Sequence, residues 1–108
     1  MAYRESLFWT MSRSKHAGDQ ATADLYNGIS SVRVKKFSPE MREIALYKLD
    51  VLNAVIVLNE LRSPPGNRLE ALKGDLAGFH SIRINKQWRS VFRWQGSNAF
   101  DVSIVDYH

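Results

Sequence analysis

Cysteine is missing from this 108-residue sequence, and its histidines are few and scattered, at His16, His80 and His108. That excludes a disulfide framework, a thiolate metal site and a cysteine nucleophile. Three isolated imidazoles make no metal-ligand cluster, so neither a metal nor a cofactor is expected. A chain without disulfides fits a reducing compartment, and a cytoplasmic location is the expectation. Nothing approaches the roughly 18 continuous apolar residues of a membrane span, so no membrane contact is expected. The opening residues carry Arg4 and Glu5 and lack a long apolar run, which argues against a secretory signal. No internal repeat or low-complexity tract is visible.

What is present is one domain's worth of chain. Fifteen Lys and Arg against eleven Asp and Glu leave a net charge of +4, and the sequence pI is about 9.6. A mild basic excess suits an acidic partner such as nucleic acid, although many unrelated small proteins share it.

Residues 1–10 read as a flexible N-terminal extension and residues 11–108 as a single domain. Leu7, Phe8 and Trp9 packing onto that domain is the alternative, and Met11–Lys15 is a candidate first strand. Ala17 to Tyr26 reads as a short helix, with Ala21, Leu25 and Tyr26 on one side and Gly28 past its end. Residues 29–37, with Arg33, Lys35 and Lys36, form a basic connector that is either a solvated charge run or a phosphate contact. A stronger helix follows, with Ser38 as N-cap, Pro39 at the first position and Glu40 at the positive end of the dipole. Met41, Ala45, Leu49, Leu52 and Ile56 make its apolar stripe. The run from Ala54 to Leu58 either continues this helix, breaks it at Asn53, or is buried more deeply. Ser63-Pro64-Pro65-Gly66-Asn67 ends helical structure and reads as an internal loop. Phe79 to Ile84, Trp88 to Trp94 and Phe100 to Val105 read as strands joined by compact hairpin turns. Two helices followed by an antiparallel meander is an α+β layout.

Hairpin geometry brings chemistry to one end of those strands. Arg83 and Arg89 flank the first turn, and the last strand returns to that end with Asp106, Tyr107 and His108. A one-residue slip would swap faces but not ends. Two guanidiniums, a carboxylate, a phenol and an imidazole suit RNA phosphodiester cleavage. There a 2′-OH attacks the adjacent phosphate, which needs a base, an acid and cations. Imidazole titrates near neutrality, and a tyrosine ring stacks on bases. Bland readings stand beside each of these: an exposed terminal His108, Asp106 paired with Arg89, solvent-facing Arg83 and Arg93, and a structural His80. Trp88 and Trp94 would then pack the sheet, and Glu70 is either a base or a helix-end acid.

These residues resemble a known family. Pro64-Pro65-Gly66-Asn67-Arg68-Leu69-Glu70-Ala71-Leu72-Lys73-Gly74-Asp75, then His80-Ser81-Ile82-Arg83-Ile84-Asn85, Gln87-Trp88-Arg89 and Val105-Asp106-Tyr107-His108 are similar to segments of the HigB toxins. These belong to the RelE-like superfamily of type II toxin–antitoxin systems. The resemblance runs from about residue 11 to residue 108, is strong from Arg62 onward and is weak before Gly28. It implies a compact RelE-like α+β fold, with two N-terminal helices packed on a small antiparallel sheet. It also implies a metal-independent endoribonuclease that cuts mRNA on the translating ribosome. A HigA-like helix-turn-helix antitoxin is implied as its partner, with operator DNA reached only through that antitoxin. By position, Lys73, Arg89, Asp106, Tyr107 and His108 match the family's active-site elements. Glu70 departs from the pattern, since some relatives carry histidine there.

The expectation is therefore a HigB-like mRNA interferase. His108 would transfer protons with Asp106 assisting or acting as base, Lys73 and Arg89 would stabilise phosphate charge, and Tyr107 would position the RNA. Glu70 is the further catalytic candidate, and Arg68, Arg83, Lys86 and Arg93 are the candidate RNA-binding residues. The rivals are a non-enzymatic ParE-like gyrase inhibitor and an inactive relative that only binds the antitoxin.

Overall fold

The computed structural model describes residues 17–106, and for residues 17–19 only the helical backbone. The expected N-terminal extension, the candidate strand Met11–Lys15, Tyr107 and His108 all lie outside the described residues.

Helix α1 spans Ala17–Tyr26. It closes as the sequence suggests, because Gly28 takes φ +75° at no steric cost. The Gly28 amide bonds to the Leu25 carbonyl (3.2 Å) and the Ile29 amide to that of Asp24 (2.8 Å), a Schellman closure. Helix α2 spans Pro39–Ala54; the Ser38 side chain accepts from the Met41 amide and Pro39 fills the first turn. Its stripe of Met41, Ala45, Leu49 and Leu52 is buried. The stripe does not extend to Ile56. Val55 already turns to extended backbone at ψ 144°, and Ile56 is 67% exposed, so that part of the sequence reading is corrected.

Four antiparallel strands follow: β1 Glu70–Ala71, β2 Phe79–Arg83, β3 Trp88–Gln95 and β4 Asn98–Asp106, side by side in chain order. Among the described residues the architecture is α+β, with two α-helices and this one sheet. The expected strands shift by a residue or two at their ends. The short edge strand β1 was not expected, and it places Glu70 in the sheet instead of at a helix end. Two residues of pairing, Glu70 with Ser81 and Ala71 with His80, fall below what a period-two pattern reveals.

Alternation along each strand separates two faces. Ile82, Phe92, Val102 and Ile104 turn inward and join Phe37, Leu49, Leu52 and Leu61 in the core. Trp88 and Trp94 pack against this core, Trp88 edge-on to Phe37 with centroids 5.1 Å apart. A bulge interrupts the β3–β4 register between Val91 and Arg93, where Asp101 adopts φ +51°. That extra residue lets Ala99 and Val102 both face inward across it. The outer edge of β4 lies against α1, where Thr22 Oγ1 accepts the Ile104 amide at 2.9 Å. The other face of the sheet carries Glu70, Ser81, Arg83, Arg89, Val91 and Val105.

Candidate active site

Arg89 organises the open face. It stands opposite Arg83 on β2 and Val105 on β4. Its guanidinium is not displayed to solvent, for the residue is 6% exposed. Its Nε donates to Ser81 Oγ at 2.9 Å and its Nη2 to the Arg68 carbonyl at 2.6 Å. A buried charge needs such partners, and the fixed fork of arginine can reach two of them at once. The same Nη2 lies 3.9 Å from Glu70 Oε1, on a side chain that is 52% exposed. Arg89 therefore fastens the turn that presents Glu70, and Glu70 meets solvent beside a positive charge.

That turn is built by its own sequence. Pro65–Asn67 forms a single 3₁₀ turn, and Arg68 closes it in the left-handed region at φ +47°. Asn67 is fully buried, with Nδ2 bonded to the carbonyls of Leu61 (3.1 Å) and Ser63 (3.2 Å). The Nζ of Lys48, from α2, donates to Asn67 Oδ1. Burial first, and the neighbouring Arg83 charge second, hold the Lys48 amine below the ordinary lysine range. Sequence reasoning missed Lys48 and Asn67. Lys48 has the period of a solvent-facing helix residue, and Asn67 looked like one more turn-former.

The expected gathering at one strand end is met for Arg83, Arg89 and Asp106. Arg83 donates from Nε to the Asn85 carbonyl at 3.2 Å, and Lys86 is exposed in the adjoining turn. Asp106 stands opposite Trp88, not Arg89, and its Oδ2 accepts from Gln87 Nε2 at 3.2 Å. Alternation thus directs Asp106 to the helix side and Arg89 to the open side, so the expected Asp106–Arg89 pairing is not supported by the register. Arg68 is exposed. Lys73 is exposed too, just after β1 and before the 3₁₀ turn Gly74–Leu76. An apolar groove of about 270 Å³ lies on the open face, lined by Leu72, Leu76, Phe79, Val91, Ser103 and Val105 among others. Arg93 is not brought to this end. It sits four residues along β3, paired with Asp101 Oδ2 at 3.1 Å and bonded to Gln95 Oε1 at 2.7 Å. His80 faces the core side and stacks on Phe92 at 6.2 Å.

A carboxylate beside a buried guanidinium, exposed cations and an apolar groove on one open face suit a single-stranded, anionic ligand. Comparison with known proteins names the family. Residues 24–108 match the model of the HigB-like toxin, described as the RelE-like toxin of type II toxin-antitoxin system HigB. The chain belongs to the HigB-like toxin family. The family forms the toxin half of a two-component system, so an antitoxin is its partner.

Among individual HigB relatives, Toxin HigB-1 of Vibrio cholerae serotype O1 is 51% identical over 71 residues, which are 65% of this chain and 74% of that protein. An uncharacterized protein of Haemophilus influenzae is 36% identical over 64 residues, 59% of this chain and 63% of its own length. Endoribonuclease HigB of Proteus vulgaris is 37% identical over 41 residues, 38% of this chain and 45% of its own. The chain thus spans less than two thirds of the latter two. Among the described residues, no helix is long and apolar enough to cross a membrane.

Proposed function

We propose that this HigB-like toxin is an endoribonuclease that cuts mRNA on the translating ribosome, in the cytoplasm, by acid-base chemistry that needs no metal. The observation that carries this reading is the placing of Glu70 at 3.9 Å from the buried Arg89 on an open, basic sheet face, in a family one of whose members is named Endoribonuclease HigB. A HigA-like helix-turn-helix antitoxin silences the toxin and represses their shared operon, so that operator DNA is met only through the antitoxin.

In the reaction, a 2′-OH attacks the adjacent phosphate, giving a 2′,3′-cyclic phosphate and releasing the 5′-oxygen of the next nucleotide. Proton transfer falls to His108, with Asp106 assisting or acting as base, and Glu70, on the open face beside Arg89, is the further carboxylate candidate. Splitting the acid and base between such groups contributes about 10²–10⁴ in rate. Lys73 neutralises charge on the phosphoryl oxygens as an exposed ammonium. Arg89, being buried, acts from beneath: it fixes Glu70 and lends its field to the site without offering its whole fork to the phosphate. Tyr107 positions the nucleotide, the apolar groove offers a floor for an unstacked base, and Arg68, Arg83 and Lys86 guide the backbone.

Expression without the antitoxin tests this reading. Growth arrest accompanied by new internal mRNA ends, with gyrase supercoiling unaffected, is the expected result. Arrest without new ends, or inhibited supercoiling, would replace the enzyme with a gyrase inhibitor, and normal growth would leave an inactive antitoxin-binding relative.

A further inference from the structure

The turn that presents Glu70 is held from two sides, by Arg89 from the sheet and by Lys48 from α2. Asn67 is its pivot. Its Nδ2 donates to the carbonyls of Leu61 at 3.1 Å and Ser63 at 3.2 Å, and its amide bonds to the Pro64 carbonyl at 2.9 Å. That leaves Oδ1 as the remaining polar atom of a side chain that is 1% exposed, and Lys48 Nζ donates to it. An ammonium only donates and a carbonyl only accepts, so two carbonyls on one side and a lysine on the other allow the amide one orientation. The next residue carries the effect forward. Arg68 stands in the left-handed region at φ +47° and ψ +57°, a backbone that a residue with a side chain keeps only where its surroundings hold it. Its amide bonds to the Pro65 carbonyl at 3.0 Å, and its own carbonyl receives Arg89 Nη2 at 2.6 Å. The same Nη2 lies 3.9 Å from Glu70 Oε1. A path of hydrogen bonds and one peptide link thus runs from α2 through Asn67 and Arg68 to Arg89, and ends at a carboxylate.

We propose that Lys48 is a positioning residue of the cleavage site, acting through Asn67 and the Arg68 carbonyl to set where Arg89 and Glu70 stand. The proposal rests on the ribonuclease reading and extends its machinery to α2. Lys48 works at a distance from the RNA: it fixes the amide, the amide fixes the turn, and the turn fixes the guanidinium beside Glu70. A lysine that only satisfied Asn67 Oδ1 would act on stability and leave the place of Arg89 unchanged. One that aims the Arg68 carbonyl acts on both.

Lys48→Met keeps the length of the side chain and removes its donor, and Lys48→Arg keeps a donor. NMR of the Arg89 guanidinium in the free protein provides the first test. Lys48→Met should shift the Arg89 Nε–H signal and speed guanidinium rotation by about five- to tenfold, the equivalent of one weakened hydrogen bond, and Lys48→Arg should restore most of the wild-type behaviour. Arg89 signals identical in Lys48→Met and wild type overturn the proposal. Single-turnover cleavage on programmed ribosomes provides the second. Lys48→Met should lower the maximal rate by about tenfold, the scale of a small displacement of a catalytic group, with the half-saturating toxin concentration unchanged. In a Glu70→Gln background the same substitution should change the rate by less than about twofold, because both act through one carboxylate. A full tenfold loss in that background, or a wild-type rate in Glu70→Gln alone, overturns the route through Glu70. The first readout involves no cleavage, so the two readings fail separately. Shifted Arg89 signals in a protein that cuts no mRNA keep the link and overturn its catalytic role, whereas cleavage with unmoved Arg89 signals keeps the enzyme and overturns the link.

Discussion

Arg89 Nη2 lies 2.6 Å from the carbonyl oxygen of Arg68, twenty-one residues earlier in the chain. This contact ties the central strand of the site to the turn that presents Glu70. Arg89→Ala should cost about 2–4 kcal/mol, because it strands the Ser81 hydroxyl and the Arg68 carbonyl in a buried place. Arg89→Lys should recover little of that, since an ammonium cannot span both acceptors. Urea unfolding measures the loss, and thermal melts give its rank order.

Glu70 separates fold from chemistry. Its side chain is half exposed and 3.9 Å from Arg89, a weak ion pair by position. Glu70→Gln should therefore change the unfolding free energy by no more than about 0.5 kcal/mol. If Glu70 moves a proton, single-turnover cleavage should fall by about 10² or more. An unchanged rate would leave proton transfer to the chain's last residues alone.

Asp24 should make the fold acid-sensitive. Burial by itself pushes its carboxyl up, but hydrogen bonds from Gln20 and Ser31, and the charge and hydrogen bond of Arg33, outweigh this and hold it below the usual carboxylate range. A depressed folded pKa means the stabilisation is present above the unfolded value and is lost as pH falls through the folded one. Wild-type stability should thus decline below about pH 4, and Asp24→Asn should flatten that decline. At neutral pH the same substitution should cost about 1–3 kcal/mol. Denaturant midpoints across pH check both statements.

Thr22 covers an edge. Its hydroxyl accepts the outward-facing Ile104 amide of β4, which would otherwise be a buried unsatisfied donor. Thr22→Val keeps the shape and should cost about 1–3 kcal/mol, with faster hydrogen exchange at the Ile104 amide as its specific mark.

Helix α2 was legible because cap, first-turn proline and apolar stripe all agree locally. So were the hairpins, whose turns set which residues face one another, and with them the meeting of Arg83 and Arg89 at one end. The pattern failed where tertiary contacts decide. Ile56 fits a helical period, yet the backbone has already left the helix at Val55. Glu70 sits in a two-residue strand defined only by its partner β2. A basic Arg33 in a charged connector looked available to phosphate, but it lies 3.3 Å from Asp24. The burial of Arg89 and the pairing of Lys48 with Asn67 depend on a turn whose path no periodicity describes.

Purified toxin should be incubated with programmed ribosomes and mRNA, beside His108→Ala and a control with free RNA. Cleavage on ribosomes only, lost in the variant while its fold and antitoxin binding persist, is expected. No cleavage by a folded, antitoxin-binding protein would contradict the ribonuclease assignment, and full cleavage by His108→Ala would remove His108 from the mechanism.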